Sequence, residues 1–423
     1  MRQPAIDERR GAARRALLRG VSLALAALLG ACSAPAPRPG PSTAPLILIS
    51  LDGFRADYLA RGLSPRLAAL AKDGVHATAM RPAFPTLTFP NHYTLVTGLY
   101  PDHHGIVNNR FLDPASGKPF VYNDPKTTSD PAWWGGEPLW VGAERQGKHA
   151  ATMFWPGSDV DIDGVRPEHW LPFDGKMSPH ARVLQALAWL DLPRAQRPDF
   201  LTLYFEQVDH AGHDFGPDSP EVDAAIAVVD GALGELTDGL KQRGIDANLV
   251  IVSDHGMTPT SPTHMIVLDE LLDVERDVDV VTTGILAGLV PKPGHDAAAR
   301  HALLAPHEHM QCWDKSAVPA RLHYGSNPRI PPLLCLADDG WLINTRAYLA
   351  RPNRHISAGE HGYDNADPAM RATFVANGPA FRHGLEIPEF DNVDVYPLLA
   401  RLLGIAPAPN DGNAKTLETV LSR

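Results

Sequence analysis

Residues 200–213 read FLTLYFEQVDHAGH, and residues 248–256 read NLVIVSDHG. Each begins with a short, continuous apolar run, the pattern of a strand buried on both faces. Between them Val222, Ala225, Ile226, Val229, Leu233, Leu236 and Leu240 recur at helical spacing. Strand, helix, strand is a parallel crossover unit. Leu46 to Leu51, LILISL, is a third run of the same kind and ends in Asp52-Gly53. A helix follows from Pro65 through Leu70, with Ser64 as N-cap and Pro65 in the first turn. Ala372–Ala376 reads as a further strand and Val393–Leu403 as a helix. The pattern predicts an α/β fold with a doubly wound, mostly parallel sheet.

In such sheets ligands sit beyond the carboxyl ends of the strands. Here those ends carry Asp or His. Asp52 follows LILISL, Asp209 and His213 follow FLTLYF, and Asp254-His255 follows NLVIV. His361 lies in EHGYDN, residues 360–365, a loop whose glycine lets backbone approach an ion closely. Mixed carboxylate and imidazole ligands suit zinc. A D-x-x-x-H spacing or one of 19 histidines means little alone. Their shared place at strand ends is hard to attribute to packing. A reacting hydroxyl is offered by RPAFPTLTFPNHYTL, residues 81–95. Its prolines break regular structure around Thr86 and Thr88, and Asn91 caps a helix beginning near His92. A metal and a helix N-terminus together can activate such a hydroxyl. The chemistry leaves Thr86 and Thr88 open.

The amino-terminal residues are of another kind. Arg9, Arg10, Arg14, Arg15 and Arg19 form a basic stretch, an apolar run from Val21 to Leu29 comes next, and Leu29-Gly30-Ala31-Cys32 resembles a lipobox. Residues 1–31 read as an export signal, too short to span a membrane stably. Cys32 would be lipidated after cleavage. The alternatives are an ordinary signal peptide or, from Arg14-Arg15, a twin-arginine signal. Residues 32–45 form a Pro-rich tether. A catalytic domain over 46–410 would carry insertions at about 100–175 and 258–358, and the expected location is the periplasm or cell envelope. Cys312 and Cys335 remain; in an oxidising compartment they could pair, or stay as buried thiols.

The whole chain has 38 basic and 49 acidic residues. Removing the leader's six arginines and two acids leaves 32 and 47, a net of −15. So acidic a body disfavours long nucleic acids. It does not disfavour a small anionic substrate held by metal, because the ion's charge dominates locally.

The motifs TFPNHYTLVTG, PDHHGIVNN, FWPGSDV, VDHAGHDFGP, VSDHGM and EHGYDN together resemble the nucleotide pyrophosphatase/phosphodiesterase family of the alkaline phosphatase superfamily. The resemblance spans about residues 44–410, in the family's order. It implies an alkaline phosphatase-like sheet and two zinc ions, one held by Asp209, His213 and His361, the other by Asp52, Asp254 and His255. It implies Thr88 as nucleophile against the second ion, a phospho-threonine intermediate, and Asn109 donating to a phosphate oxygen. Phe89 would stack on a nucleobase, with Phe173 or Trp170 on its other face and Trp155 lining the same pocket. Two features qualify the substrate. The arginine that monoesterases of the superfamily place over phosphate has no counterpart in the motif segments, Arg81 and Arg110 being nearest, which favours diesters. Glu144 stands near a lysine of nucleotide-type members, which weakens a contact to a phosphate tail. The expected activity is release of nucleoside 5′-monophosphates from small nucleotides or other phosphodiesters. The alternatives are a lipid or choline phosphodiesterase with the same metals, and a silent envelope binding protein. The oligomeric state is not legible.

Overall fold

The computed structural model describes residues 44–352 and 356–422. The expected export signal, Cys32 and nearly all of the tether fall within residues 1–43, outside the described residues. The main sheet has eight strands: β1 (Leu46–Leu51), β2 (Val75–Ala77), β3 (Ala150–Met153), β4 (His169–Leu171), β5 (Phe200–Phe205), β6 (Asn248–Val252), β7 (Phe374–Asn377) and β8 (Leu385–Ile387). Their spatial order is β8-β2-β7-β6-β1-β5-β3-β4. β1 pairs in parallel with both β5 and β6, at the centre. Only β7 runs against its neighbours. The doubly wound, mostly parallel α/β sheet expected from the sequence is present.

Every residue of β1 is buried, and the pleat divides them. Leu46 and Leu48 join an apolar cluster with α2 (Thr88–Thr97) and α6 (Val395–Leu403). Ile47, Ile49 and Leu51 join a second with α1 (Pro65–Asp73), α3 (Pro179–Leu190) and α5 (Pro220–Gln242). α4 (Gln207–Phe215) is the short helix leading away from β5. α5 buries all seven apolar positions named above, and the Ser219 hydroxyl accepts from the Val222 N–H at its start.

Local expectations differ at three places. The helix at Pro65 exists, but Ser64 does not cap it. The Asp230 carboxylate of α5 takes the Arg66 and Leu67 N–H groups at 3.1 and 2.8 Å. A cap from a distant helix leaves no local trace in sequence. α2 begins at Thr88, not near His92. Pro90 is tolerated there because first-turn N–H groups have no intrahelical partner. Asn91 therefore lies inside the helix, where its amide accepts from Ala83 N–H and donates to Pro85 and Leu87 carbonyls. Finally, the stretch read as an insertion at 100–175 ends in β3 and β4, which extend one edge of the main sheet. A four-residue run such as AATM is too short to separate from loop by pattern.

The later stretch, 258–358, builds its own four-stranded antiparallel sheet from Val278–Thr282, Leu286–Pro291, Met310–Asp314 and Leu333–Ala337. It has its own apolar cluster, including Leu268, Leu289, Leu303 and Leu333. Cys312 and Cys335 face each other across adjacent strands and are joined as a disulfide.

Candidate active site

β1, β5 and β6 end in register, so the residues just past their carboxyl ends converge. Asp52 lies past β1, Asp209 and His213 project from α4, and Asp254-His255 lies past β6. Asp52, Asp254 and His255 are fully buried, and Asp209 and His361 nearly so. Gly53 makes the approach feasible: its φ is +67°, and a Cβ there would stand 2.9 Å from the Asp209 Cα.

Two groups of ligand atoms each lie within 4.8 Å of one another: Asp209, His255 and His361, and Asp52, Asp254 and His255. His213 stands at the rim of the first group, its Nε2 3.5 Å from Asp209 Oδ1, the oxygen that His361 Nε2 approaches at 3.6 Å. His255 Nε2 is 3.0 Å from Asp254 Oδ2 and 3.3 Å from Asp52 Oδ1. The histidines are oriented alike. Each Nδ1 donates to a backbone carbonyl: His255 to Gly256 at 2.9 Å, His213 to Gly359 at 2.8 Å, His361 to Thr86 at 2.8 Å. In its neutral form each ring would therefore turn an Nε2 lone pair toward carboxylates. Asp52 Oδ1, Asp209 Oδ1 and Asp254 Oδ2 are buried without a hydrogen-bond partner. Lone pairs and orphaned anionic oxygens aimed at common points are costly unless a cation stands among them. The donor set fits a borderline divalent ion such as zinc.

Electrostatics agree. Burial pushes the Asp52 carboxyl well above its ordinary range, and the nearby Asp254 and Asp209 charges push it further. Burial would raise Asp254 too, but His255 and His92 hold it well below. Burial, then His255 and His213, drive His361 well down, which keeps its lone pair free. His255 and His213 are lowered by burial and raised more strongly by carboxylates, Asp254 for one and Asp209 with Glu360 for the other. A bound cation would take the place of those protons.

The two threonines differ. Thr86 Oγ1 donates to the Tyr363 carbonyl at 3.1 Å and accepts from Gly362 N–H at 2.9 Å, holding the His361 loop. Thr88 Oγ1, at the first turn of α2, lies 3.2 Å from His255 Nε2. Asn109 Oδ1 accepts from the Phe89 N–H at 3.0 Å. Beside them the Phe89 ring packs edge-on to Tyr122 at 5.7 Å. Phe173 is more than half exposed and meets Tyr204 at 6.0 Å. Trp155 is buried, its Nε1 donating to the His92 carbonyl at 2.9 Å. Trp170 lies under the Arg166 guanidinium. Glu144 is spent on the backbone N–H groups of Ala150 and Glu168. Arg81 pairs with Asp391, while Arg110 covers Tyr122.

Sequence reasoning missed three neighbours. Tyr204 Oη donates to Asp52 Oδ2 at 2.6 Å. His92, fully buried, has Nδ1 2.9 Å from the Thr88 carbonyl and 3.2 Å from Asp254 Oδ2, while Nε2 accepts from Ser50 Oγ at 2.8 Å. Tyr122 extends the aromatic wall. His92 sits in the NHY motif, so it was visible but had no spacing to mark it. Tyr204 lies inside an apolar strand and looks like core.

Comparison with known proteins bears on what this arrangement does. The model of a family described as type I phosphodiesterase/nucleotide pyrophosphatase matches residues 46–364. An uncharacterized pyrophosphatase/phosphodiesterase of Schizosaccharomyces pombe is 41% identical, over 87% of this chain and 78% of its own length. Human ectonucleotide pyrophosphatase/phosphodiesterase family member 1 is 40% identical over 90% of this chain, which spans only 42% of that protein. The venom phosphodiesterase of Macrovipera lebetinus is 40% identical over 89% of this chain, which spans 45% of it. Among solved structures, murine ectonucleotide pyrophosphatase/phosphodiesterase 5, as an inactive threonine-to-alanine variant in complex with AMP, superposes with a TM-score of 0.85 at 35% identity, covering 90% of this chain and all of that one. By fold and by sequence alike, the chain belongs to the type I phosphodiesterase/nucleotide pyrophosphatase family of the alkaline phosphatase superfamily and is a hydrolase of phosphoric diesters.

Proposed function

We propose that the chain is an exported two-zinc phosphodiesterase/pyrophosphatase that cleaves nucleotide phosphodiester or phosphoanhydride bonds and releases nucleoside 5′-monophosphates. One observation carries this reading: the Thr88 hydroxyl abuts a cluster in which three buried carboxylate oxygens lack partners and three imidazoles turn the same nitrogen inward. Asp209, His213 and His361 would hold one zinc, and Asp52, Asp254 and His255 the other. Zinc there supplies positive charge that lowers the pKa of a nearby hydroxyl and offsets developing negative charge on oxygen.

Thr88 Oγ loses its proton to solvent and attacks phosphorus. The bond from phosphorus to the leaving oxygen breaks with its electron pair, and that oxygen takes up a proton. Water then attacks the phospho-threonine, and Thr88 Oγ departs and is reprotonated. Two charge-stabilised displacements replace one difficult hydrolysis. Asn109, its oxygen tied to the Phe89 N–H, keeps its amide N–H groups for a non-bridging phosphate oxygen. Phe89 offers a face to the base. Phe173 is preferred to Trp170 for the opposite face because its ring meets Tyr204, which bonds Asp52. Trp155 backs this wall through His92.

A neighbour solved with AMP, inactive as a threonine-to-alanine variant, supports both the nucleotide and the nucleophile. The names of the ecto- and venom relatives support export. Among the described residues no helix is long and apolar enough to cross a membrane. Attachment would rest on lipidated Cys32 and the tether.

Thr88→Ala tests the reading. Turnover of p-nitrophenyl thymidine 5′-phosphate should fall by about 10³-fold or more while zinc content stays at two per chain. Full activity in the variant would sink the mechanism. A preference for p-nitrophenyl phosphorylcholine in the unmodified enzyme would sink the nucleotide assignment.

A further inference from the structure

Asn109 sits in a long loop, residues 105–133, whose two ends are drawn together by one side chain. Arg329 Nη1 donates to the Gly105 carbonyl at 2.8 Å and to the Trp133 carbonyl at 2.9 Å, and Nη2 donates to the Ala132 carbonyl at 2.8 Å. The half-buried guanidinium lies 5.1 Å from the Trp133 ring centre and 5.7 Å from that of Phe111. Asp113, 3.9 Å from its Nε, belongs to the loop too. Gly105 lets the guanidinium in: its φ is +83°, and a Cβ there would stand 2.6 Å from Arg329 Nη1.

Arg329 comes from far along the chain. Residues 324–330 lie in the inserted stretch, yet Tyr324 and Ile330 join the apolar cluster of β1 and α2, not that of the inserted sheet. The same segment grips the approach to Asn109 twice more. Asp102 Oδ1 accepts from the N–H groups of Gly325, Ser326 and Asn327 at 3.1, 3.0 and 2.9 Å. Tyr324 Oη donates to the carbonyl of Val107, just ahead of Asn109, at 2.9 Å. Past these grips the loop forms the hairpin Arg110–Leu112 with Pro119–Val121, and the Asn109 carbonyl accepts from Tyr122 N–H at 2.9 Å. Asn109 Oδ1 then meets the N–H of Phe89, the residue after Thr88, at 3.0 Å. Apolar packing seats the loop but is non-directional. Direction comes from the polar contacts, and a grip on three carbonyls suits a planar fork, which lysine lacks.

We propose that Arg329 is a positioning residue for the phosphate contact: by clamping the base of the loop it fixes where Asn109 points its amide N–H groups, without touching substrate itself. The inference rests on the reading of Asn109 as donor to a non-bridging phosphate oxygen. Such a donor is worth about 10²–10³ in kcat, and small displacements caused by remote changes lower rates steeply. A loosened base should cost part of that factor.

The test is a double-variant cycle on turnover of p-nitrophenyl thymidine 5′-phosphate. Arg329→Lys keeps the charge and loses the fork. With Asn109 intact it should lower kcat by about tenfold. Asn109→Ala alone should lower kcat by about 10²-fold. Adding Arg329→Lys to that background should change kcat by less than about twofold, because the group it positions is gone. Zinc content and melting temperature check the fold; if Arg329→Lys fails to fold, Arg329→Gln, which keeps an amide donor, is read in the same way. Equal losses in both backgrounds, as a general loosening of the structure gives, overturn the assignment. So does unchanged kcat in folded Arg329→Lys. Full activity in Asn109→Ala alone overturns the Asn109 reading beneath it, and the assignment with it.

Discussion

Three imidazoles in this site present the same nitrogen because backbone carbonyls of Gly256, Gly359 and Thr86 hold the other one. The carboxylates are aimed the same way, and Tyr204 does it for Asp52 by occupying Oδ2 and leaving Oδ1 free. Removing that hydroxyl should loosen the ligand without opening a cavity. Tyr204→Phe is expected to cost about 10–100-fold in zinc affinity or activity, read by metal titration against a chelator, with the melting temperature little changed. At this scale the sequence was legible where residue type met position. Asp52, Asp209, Asp254 and His255 stood out because they end strands. Thr88 did not stand out from Thr86, because what separates them is partnership: Thr86 is bound to the His361 loop, 275 residues away in the chain. Tyr204 was hidden for the same reason, and His92, though inside a motif, had no spacing to mark it.

Between elements, a buried ion pair ties α3 to the end of β5. Arg182 of α3 is fully buried and grips Glu206, just past β5, through both carboxylate oxygens, one at 2.7 Å. It also donates to the Tyr204 carbonyl at 2.8 Å. A buried pair is weak ground for stability as such, but losing one partner leaves the other charge stranded. Arg182→Met should destabilise by about 3–5 kcal/mol in urea denaturation, and the double variant Arg182→Met with Glu206→Leu should recover much of it. Elements with long periodic or continuous apolar patterns were legible: β1, β5, β6 and α5. Those set by distant partners were not. α1 takes its cap from Asp230, and α2 starts at Thr88 because Pro90 fits a first turn. β3 and β4 are too short to announce themselves, which is why they were read as part of an insertion.

At the scale of the molecule, the parallel centre of the sheet gathers three strand ends and the antiparallel β7 lies beside them. The crossover from β5 through α5 to β6 made this architecture readable from one window of sequence. In sequence the stretch 258–358 shows only as an insertion. It turns out to carry a sheet, a disulfide and a core of its own, and with them one wall of a large cavity. Neither the cavity nor its wall could be read in advance, because both depend on how two sheets sit together. Acid-quenching the enzyme during turnover of p-nitrophenyl thymidine 5′-phosphate and mapping the modified peptide by mass spectrometry tests the whole assembly. The expected result is a thymidine monophosphate adduct on Thr88. An adduct on Thr86, or turnover with no modified threonine at any quench time, would contradict it.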